Sequence, residues 1–119
     1  MTDEEFDALL GVLARARSSA FWTPASVVAQ AADHLGRLGA KHVLDVGAGV
    51  GKFCLLGAQY LKGARFHGID RRALLIGEAE ALRRRLRLEH VSFAAGDALA
   101  VSWSPCDAFY FFNPFSEHL

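Results

Sequence analysis

Three glycines within the five residues Gly47-Ala48-Gly49-Val50-Gly51 constrain this chain more than any other feature. They sit between the short apolar strand Val43-Leu44-Asp45-Val46 and a helical stretch from about Lys52 to Leu61, closed by Lys62-Gly63. Glycines at such a junction permit a tight turn and let a ligand approach the backbone. The alternation then continues. Arg65 to Ile69 reads as a second strand ending at Asp70. Arg71 to about Arg87 reads as a long helix with Leu74, Leu75, Ala79, Leu82 and Leu86 on one side. His90 to Ala94 is a third strand ending at Gly96-Asp97. After the turn Trp103-Ser104-Pro105, Ala108 to Phe112 is a fourth, ending at Asn113-Pro114.

Strands alternating with helices mean βαβ units, parallel pairing and right-handed crossovers. The expected fold is α/β: a Rossmann-like, doubly wound, mainly parallel sheet of about four strands with one or two helices in front. The first of these helices opens at Thr2, where Thr2 and Glu5 fit a capping box, and carries Phe6, Leu9, Leu10 and Leu13 on one face, with Arg15 and Arg17 at its negative end. The second starts at Thr23-Pro24, a cap followed by proline at the first helical position, and carries Val27, Val28, Ala31 and Leu35 before stopping near Gly36 or Gly39. One domain over residues 1–119 is expected, with helices in 1–39 and the sheet core in 40–119. The fourth strand is apolar on both faces, as in the middle of a parallel sheet, yet only Phe115 to Leu119 follow its end. The usual fold has further strands there, so the expectation is either a fragment of a longer protein or an edge covered by another subunit. The bare edge at residues 109–112 predicts self-association.

Composition narrows the function classes. A content of 52% hydrophobic and 22% charged residues excludes disorder. The apolar runs are about half of what a bilayer span needs, and the acidic start Met1-Thr2-Asp3-Glu4-Glu5 does not read as a signal peptide. No membrane association is expected. Thirteen basic residues balance thirteen acidic ones, which argues against gripping nucleic acid by bulk charge while leaving a local patch open. Cys54 and Cys106 form no C-x-x-C and have no histidine at ligand spacing, so no metal and a cytoplasmic location are expected.

Spacing separates three readings of the glycine loop. A phosphate-binding Walker loop needs four residues before its Gly-Lys and a hydroxyl after it; here three residues precede Gly51-Lys52 and Phe53 follows. A dinucleotide fingerprint needs its third glycine three positions after the second, where Lys52 stands. The pattern acid-x-Gly-x-Gly-x-Gly fits Asp45-Val46-Gly47-Ala48-Gly49-Val50-Gly51 without a gap. There the chain resembles the class I S-adenosylmethionine-dependent methyltransferases, over about residues 22 to 115. Gly68-Ile69-Asp70 looks like the family's second motif, whose acid accepts both ribose hydroxyls, with Arg71 beside it. Gly96-Asp97-Ala98 looks like the third, at the adenine. Asn113-Pro114-Phe115 resembles the fourth, with one proline missing, and Thr23-Pro24 is similar to the segment covering the methionine end.

The resemblance implies S-adenosylmethionine as cofactor, bound by Thr23, Asp45, Gly47, Ala48, Gly49, Gly51, Asp70, Arg71, Asp97 and Ala98. It implies methyl transfer to an amino nitrogen held by Asn113 and Phe115, with the acceptor unidentified. Displacement at a sulfonium methyl depends mainly on alignment, so a missing catalytic triad does not count against it.

Each residue also has a plainer reading. Asp45 could cap the loop, Asp70 could cap the following helix, and Gly96-Asp97 and Asn113-Pro114 are ordinary turn pairs. Arg83-Arg84-Arg85 with Arg87, near Glu78, Glu80 and Glu89, reads as a solvated helix face, and the two cysteines and Phe21-Trp22 read as packing. Two rival functions stay open. One is a non-catalytic, truncated Rossmann module for assembly or nucleotide sensing; the other, ranked lower by glycine spacing, is an NAD-dependent oxidoreductase.

Overall fold

The N-terminal capping box forms as its sequence predicts. The Glu5 N–H donates to Thr2 Oγ1 at 3.1 Å and the Thr2 N–H to Glu5 Oε1 at 3.0 Å. It opens α1 (Asp3–Asp7) in this computed structural model, which describes residues 1–10, 23–97 and 106–111. Helix α1 is shorter than its apolar spacing predicts. Leu9 and Leu10 lie in the turn after it, where Leu10 is still buried with Phe6, and Leu13, Arg15 and Arg17 lie outside the described residues.

Helix α2 (Ala25–Arg37) departs from expectation at its start. Pro24 is the N-cap rather than the first helical residue, and Thr23 does not cap. Its hydroxyl is engaged elsewhere, 2.6 Å from the Tyr110 hydroxyl. The cap comes from α1 instead, where Asp3 Oδ1 accepts the Ala25 N–H at 2.8 Å. The buried stripe is Ala25, Val28 and Ala32, while Val27 is 41% exposed. Gly39, at φ 75°, ends the helix where glycine is predicted.

Four parallel strands form one sheet in the order β3-β2-β1-β4: β1 (His42–Val46), β2 (Arg65–Asp70), β3 (Val91–Ala95) and β4 (Ala108–Phe111). Helix α3 (Lys52–Tyr60) joins β1 to β2, and α4 (Ala73–Leu86) joins β2 to β3. Predicted and observed boundaries agree within a residue or two, and Phe112 lies outside the described residues. One face of the sheet buries Val43, Phe66 and Val91 against Phe53, Cys54, Leu55, Leu56 and Leu82. The other carries a smaller cluster of Leu44, Val46 and Ile69 with Cys106.

The register of α4 corrects another expectation. Ile76, Ala79 and Leu82 are buried, whereas Leu74 is 91% exposed, because it shares its face with exposed Gly77 and Ala81. Arg83 pairs with Glu80 at 3.1 Å while Arg84 and Arg85 are exposed, which is the solvated helix face expected. Strand β4 is one of the two sheet edges among the described residues, and Phe109 is exposed there.

Asp3 also fixes α1 to the glycine loop. Lys52, the first residue of α3, is buried; its Nζ lies 2.6 Å from Asp3 Oδ1 and 5.8 Å from the Phe6 ring centre. An ammonium so enclosed requires its counter-charge.

Candidate cofactor site

Strand β1 ends at Val46 and the chain turns through Gly47, Gly49 and Gly51, whose φ values of 78°, 59° and 80° are all left-handed. Side chains rarely adopt that region, so the sequence places glycine at each. The Gly47 and Ala48 N–H groups both donate to the Ile69 carbonyl, at 2.9 and 3.0 Å, which ties the loop to the end of β2. The Gly51 N–H closes the turn on Ala48 O at 2.9 Å.

Gly51 is also where α3 meets the sheet. A Cβ on it would lie 2.5 Å from Phe93 Cζ and 3.0 Å from Ala79 Cβ. A Cβ on Gly68 would lie 2.7 Å from Ala48 Cβ and from Phe93 Cδ1. The Phe93 ring therefore fills the space beneath the loop, so the third glycine of the motif serves helix–sheet packing.

Asp70 is the polar centre of the loop and is buried. Its Oδ2 accepts the Gly49 N–H at 2.9 Å, and its Oδ1 accepts the Arg72 N–H at 2.9 Å. The Arg72 guanidinium adds a fork, Nε to Oδ1 at 2.8 Å and the terminal nitrogen to Oδ2 at 2.7 Å. Burial alone would push this carboxyl up, but the hydrogen bonds from Arg72 and Gly49 outweigh it and hold it below the usual carboxylate range. Asp70 is thus ionised at neutral pH. It does not cap α4, whose N-cap is Arg72.

Asp45 is its opposite. The register sets Gly68 and Tyr110 on either side of it, and it is 3% exposed with the Cys54 thiol donating to Oδ2 at 3.9 Å. Burial, and then the negative Asp70, push its carboxyl well above 3.8. Burial and Asp45 in turn push the Cys54 thiol up, which leaves it a packing residue.

The sign of the pH dependence follows. The folded pKa of Asp45 is raised, so its contribution to stability is complete below 3.8 and is lost as pH rises through the folded value. Asp45→Asn should remove that loss, since asparagine resembles the protonated acid. Thermal unfolding of both proteins at pH 5 and pH 8 should show the variant gaining on the wild type at the higher pH; a constant difference would mean that Asp45 ionises freely.

The remaining predicted residues are distributed as follows. Thr23 is buried and hydrogen-bonded to Tyr110, whose ring stacks on Phe53 with centroids 3.9 Å apart and planes 4° apart. Arg71 is exposed at the end of β2, and Asp97 is exposed just beyond β3, where the Gly96 N–H donates to Asp70 O at 2.9 Å. Ala98, Asn113 and Phe115 lie outside the described residues. Sequence reasoning passed over Arg72 and Tyr110. The signal for Arg72 was its place two residues after the strand-end acid, within reach of it around one turn. For Tyr110 the signal was a hydroxyl inside an apolar run. A cleft lined by His42, His67, His90 and Cys106 shares no residue with the glycine loop. Among the described residues no His, Cys, Asp or Glu group gathers to hold a metal, and no helix is long and apolar enough to cross a membrane.

The methyltransferase-domain family matches residues 39–109, more than half of the chain. Among solved structures, an RNA methyltransferase from Salinibacter ruber in complex with S-adenosyl-L-homocysteine is similar with TM-score 0.65 and 24% identity, over 75% of this chain and 58% of that one. PKMT2 from Rickettsia typhi in complex with AdoHcy gives TM-score 0.55 and 22% identity, over 60% of this chain and 14% of that one. The N-terminal domain of EvdMO1 with SAH bound gives 0.59 and 22%, over 69% and 36%. At these identities the likeness is one of fold, and the chain spans 58% or less of each of these proteins. No curated protein matches the chain.

Proposed function

Since the chain belongs to the methyltransferase-domain family, we propose that it binds S-adenosylmethionine at the ends of β1, β2 and β3 and serves methyl transfer. The observation that carries this reading is the Asp70 carboxylate, ionised at the end of β2 and joined to the left-handed loop through Gly49. A carboxylate with two acceptor oxygens suits a vicinal diol, and glycines let the rest of a nucleoside lie close to the backbone. The other residues present fit the same ligand. Asp97 stands past β3 for the adenine, and Thr23 and buried Asp45 stand toward the methionine end. Asp45 fits a cation especially well, because a positive group brought near it would draw it toward its charged form.

When bound, the sulfonium supplies the methyl group and leaves as a neutral thioether. The work of the chain is alignment: Asp70 fixes the ribose, the loop fixes the chain beyond it, and the stacked Phe53–Tyr110 pair holds β4 against α3. Asn113 and Phe115, which follow β4 in sequence, would hold an amino nitrogen as acceptor.

Calorimetric titration with S-adenosylmethionine, S-adenosylhomocysteine and NAD tests the reading. The first two should bind in the micromolar range and NAD should not. Binding of NAD in their place would make the chain a dinucleotide module, and binding of none would end the cofactor assignment.

A further inference from the structure

Counting acceptors at Asp70 leads to Arg72. Each carboxylate oxygen offers about two acceptor positions, and each oxygen of Asp70 already receives two donors. Oδ1 takes the Arg72 N–H at 2.9 Å and Arg72 Nε at 2.8 Å; Oδ2 takes the Gly49 N–H at 2.9 Å and the terminal guanidinium nitrogen of Arg72 at 2.7 Å. The carboxylate is saturated. Of the four donors, two are backbone groups that hold the loop and the turn in shape. The other two are the parallel fork of one side chain, placing one donor on each oxygen.

A vicinal diol makes the same demand: two donors side by side, one for each oxygen. We propose that the Arg72 guanidinium takes the ribose-diol position at Asp70 and must swing away before a ribonucleoside can bind, so that Arg72 sets the affinity of the site as a built-in competitor. The inference rests on the cofactor reading above and adds to it a residue that opposes binding.

The geometry permits the exchange. Asp70 has a side-chain exposure of 4%, while that of Arg72 is 21%, so the guanidinium lies on the solvent side of the pair. Arg72 is the N-cap of α4, and its backbone N–H bonds Oδ1 separately from its side chain. The fork can therefore leave without undoing the turn. Its departure frees one acceptor position on each oxygen while Gly49 stays bound to Oδ2. The loop thus keeps its shape, and apparent affinity falls only by the fraction of molecules in which the fork is closed.

Substitution of Arg72 should then tighten binding, the reverse of what a binding residue would do. Arg72→Met keeps the stem and removes the donors, and Arg72→Lys keeps the charge without the fork. Adenosine and S-adenosylhomocysteine should bind the Met variant about tenfold tighter than the wild type, with the Lys variant between them. Because adenosine is uncharged, the gain cannot come from removing a distant positive field. 2′,3′-Dideoxyadenosine, which has no diol, should show no gain.

Calorimetric or NMR titration of the three proteins with these three probes decides the matter, after thermal unfolding has shown each to be folded. Should the Met variant fail to fold, the Lys variant carries the same comparison. Unchanged or weaker adenosine binding in the variants, with the wild type binding normally, overturns the competitor and leaves the cofactor reading standing. An equal gain with dideoxyadenosine also overturns it, because the effect would not pass through the diol. If no protein binds any probe, both readings fall together.

Discussion

Gly51→Ala is expected to destabilise the fold by about 2–5 kcal/mol. Two separate costs add. At φ 80° an alanine sits in the left-handed region, which costs about 1–2 kcal/mol. Its Cβ would also stand 2.5 Å from Phe93 Cζ and 3.0 Å from Ala79 Cβ, and overpacking of this kind costs about 1–3 kcal/mol. Neither neighbour gives way freely, since Ala79 is buried in α4 and Phe93 packs on the core from β3. Gly77→Ala is the control. It has nothing within 4 Å and lies inside α4, where alanine should add about 0.5–1 kcal/mol of stability. Urea unfolding of both variants measures the contrast. Phe93→Leu in the Gly51→Ala background should recover part of the overpacking cost and none of the backbone cost, so the double variant separates the two. A Gly51→Ala protein as stable as the wild type would mean that the loop has a second conformation without positive φ.

What the sequence revealed about this fold was whatever neighbouring residues determine among themselves. The Thr2–Glu5 capping box closes within one turn, and the strand limits follow from short apolar runs broken by Gly, Asp and Asn. The left-handed loop follows from three glycines at fixed spacing. Pairings across the fold were hidden. The cap of α2 comes from Asp3, 22 positions earlier in the chain, and Thr23, the residue that looked like the cap, is drawn off by Tyr110, 87 positions later. Leu74 satisfies the helical spacing of an apolar face yet points outward, because the rotation of α4 on the sheet is fixed by Ile76, Ala79 and Leu82. In the candidate site the same division holds. The positions of Asp45 and Asp70 at strand ends were legible, but the opposite directions of their pKa shifts were not, since one depends on burial and on the negative Asp70 and the other on Arg72 and Gly49. Ala98, Asn113 and Phe115 lie outside the described residues, so their assigned roles rest on the resemblance alone.

Asp70→Ala is expected to weaken S-adenosylhomocysteine binding about 10- to 100-fold, from the loss of about 1–3 kcal/mol in hydrogen bonds to a charged acceptor. The substitution removes the diol's partner and also the acceptor that holds the Gly49 N–H at 2.9 Å, so the loop loses its tie to β2 through that group. It therefore lowers stability as well as affinity, and pH separates the two. Burial pushes Asp70 up, yet the Arg72 and Gly49 hydrogen bonds hold its folded pKa below 3.8. Its stabilising contribution is accordingly present above 3.8 and is lost as pH falls through the folded value. The wild type and the variant should differ in thermal stability at pH 7 and converge in acid. Asp70→Asn refines the comparison, because its amide oxygen can still accept the Gly49 N–H while the negative charge and half of the acceptor capacity are gone. If Asp70 acts on the ribose, the Asn variant should keep more of the wild-type stability than the Ala variant yet bind S-adenosylhomocysteine nearly as poorly. Should Asp70 serve only the loop, the Asn variant would recover binding together with stability. Titration of both variants at a temperature where each is fully folded distinguishes these outcomes, and wild-type affinity in the Ala variant would remove Asp70 from the site altogether.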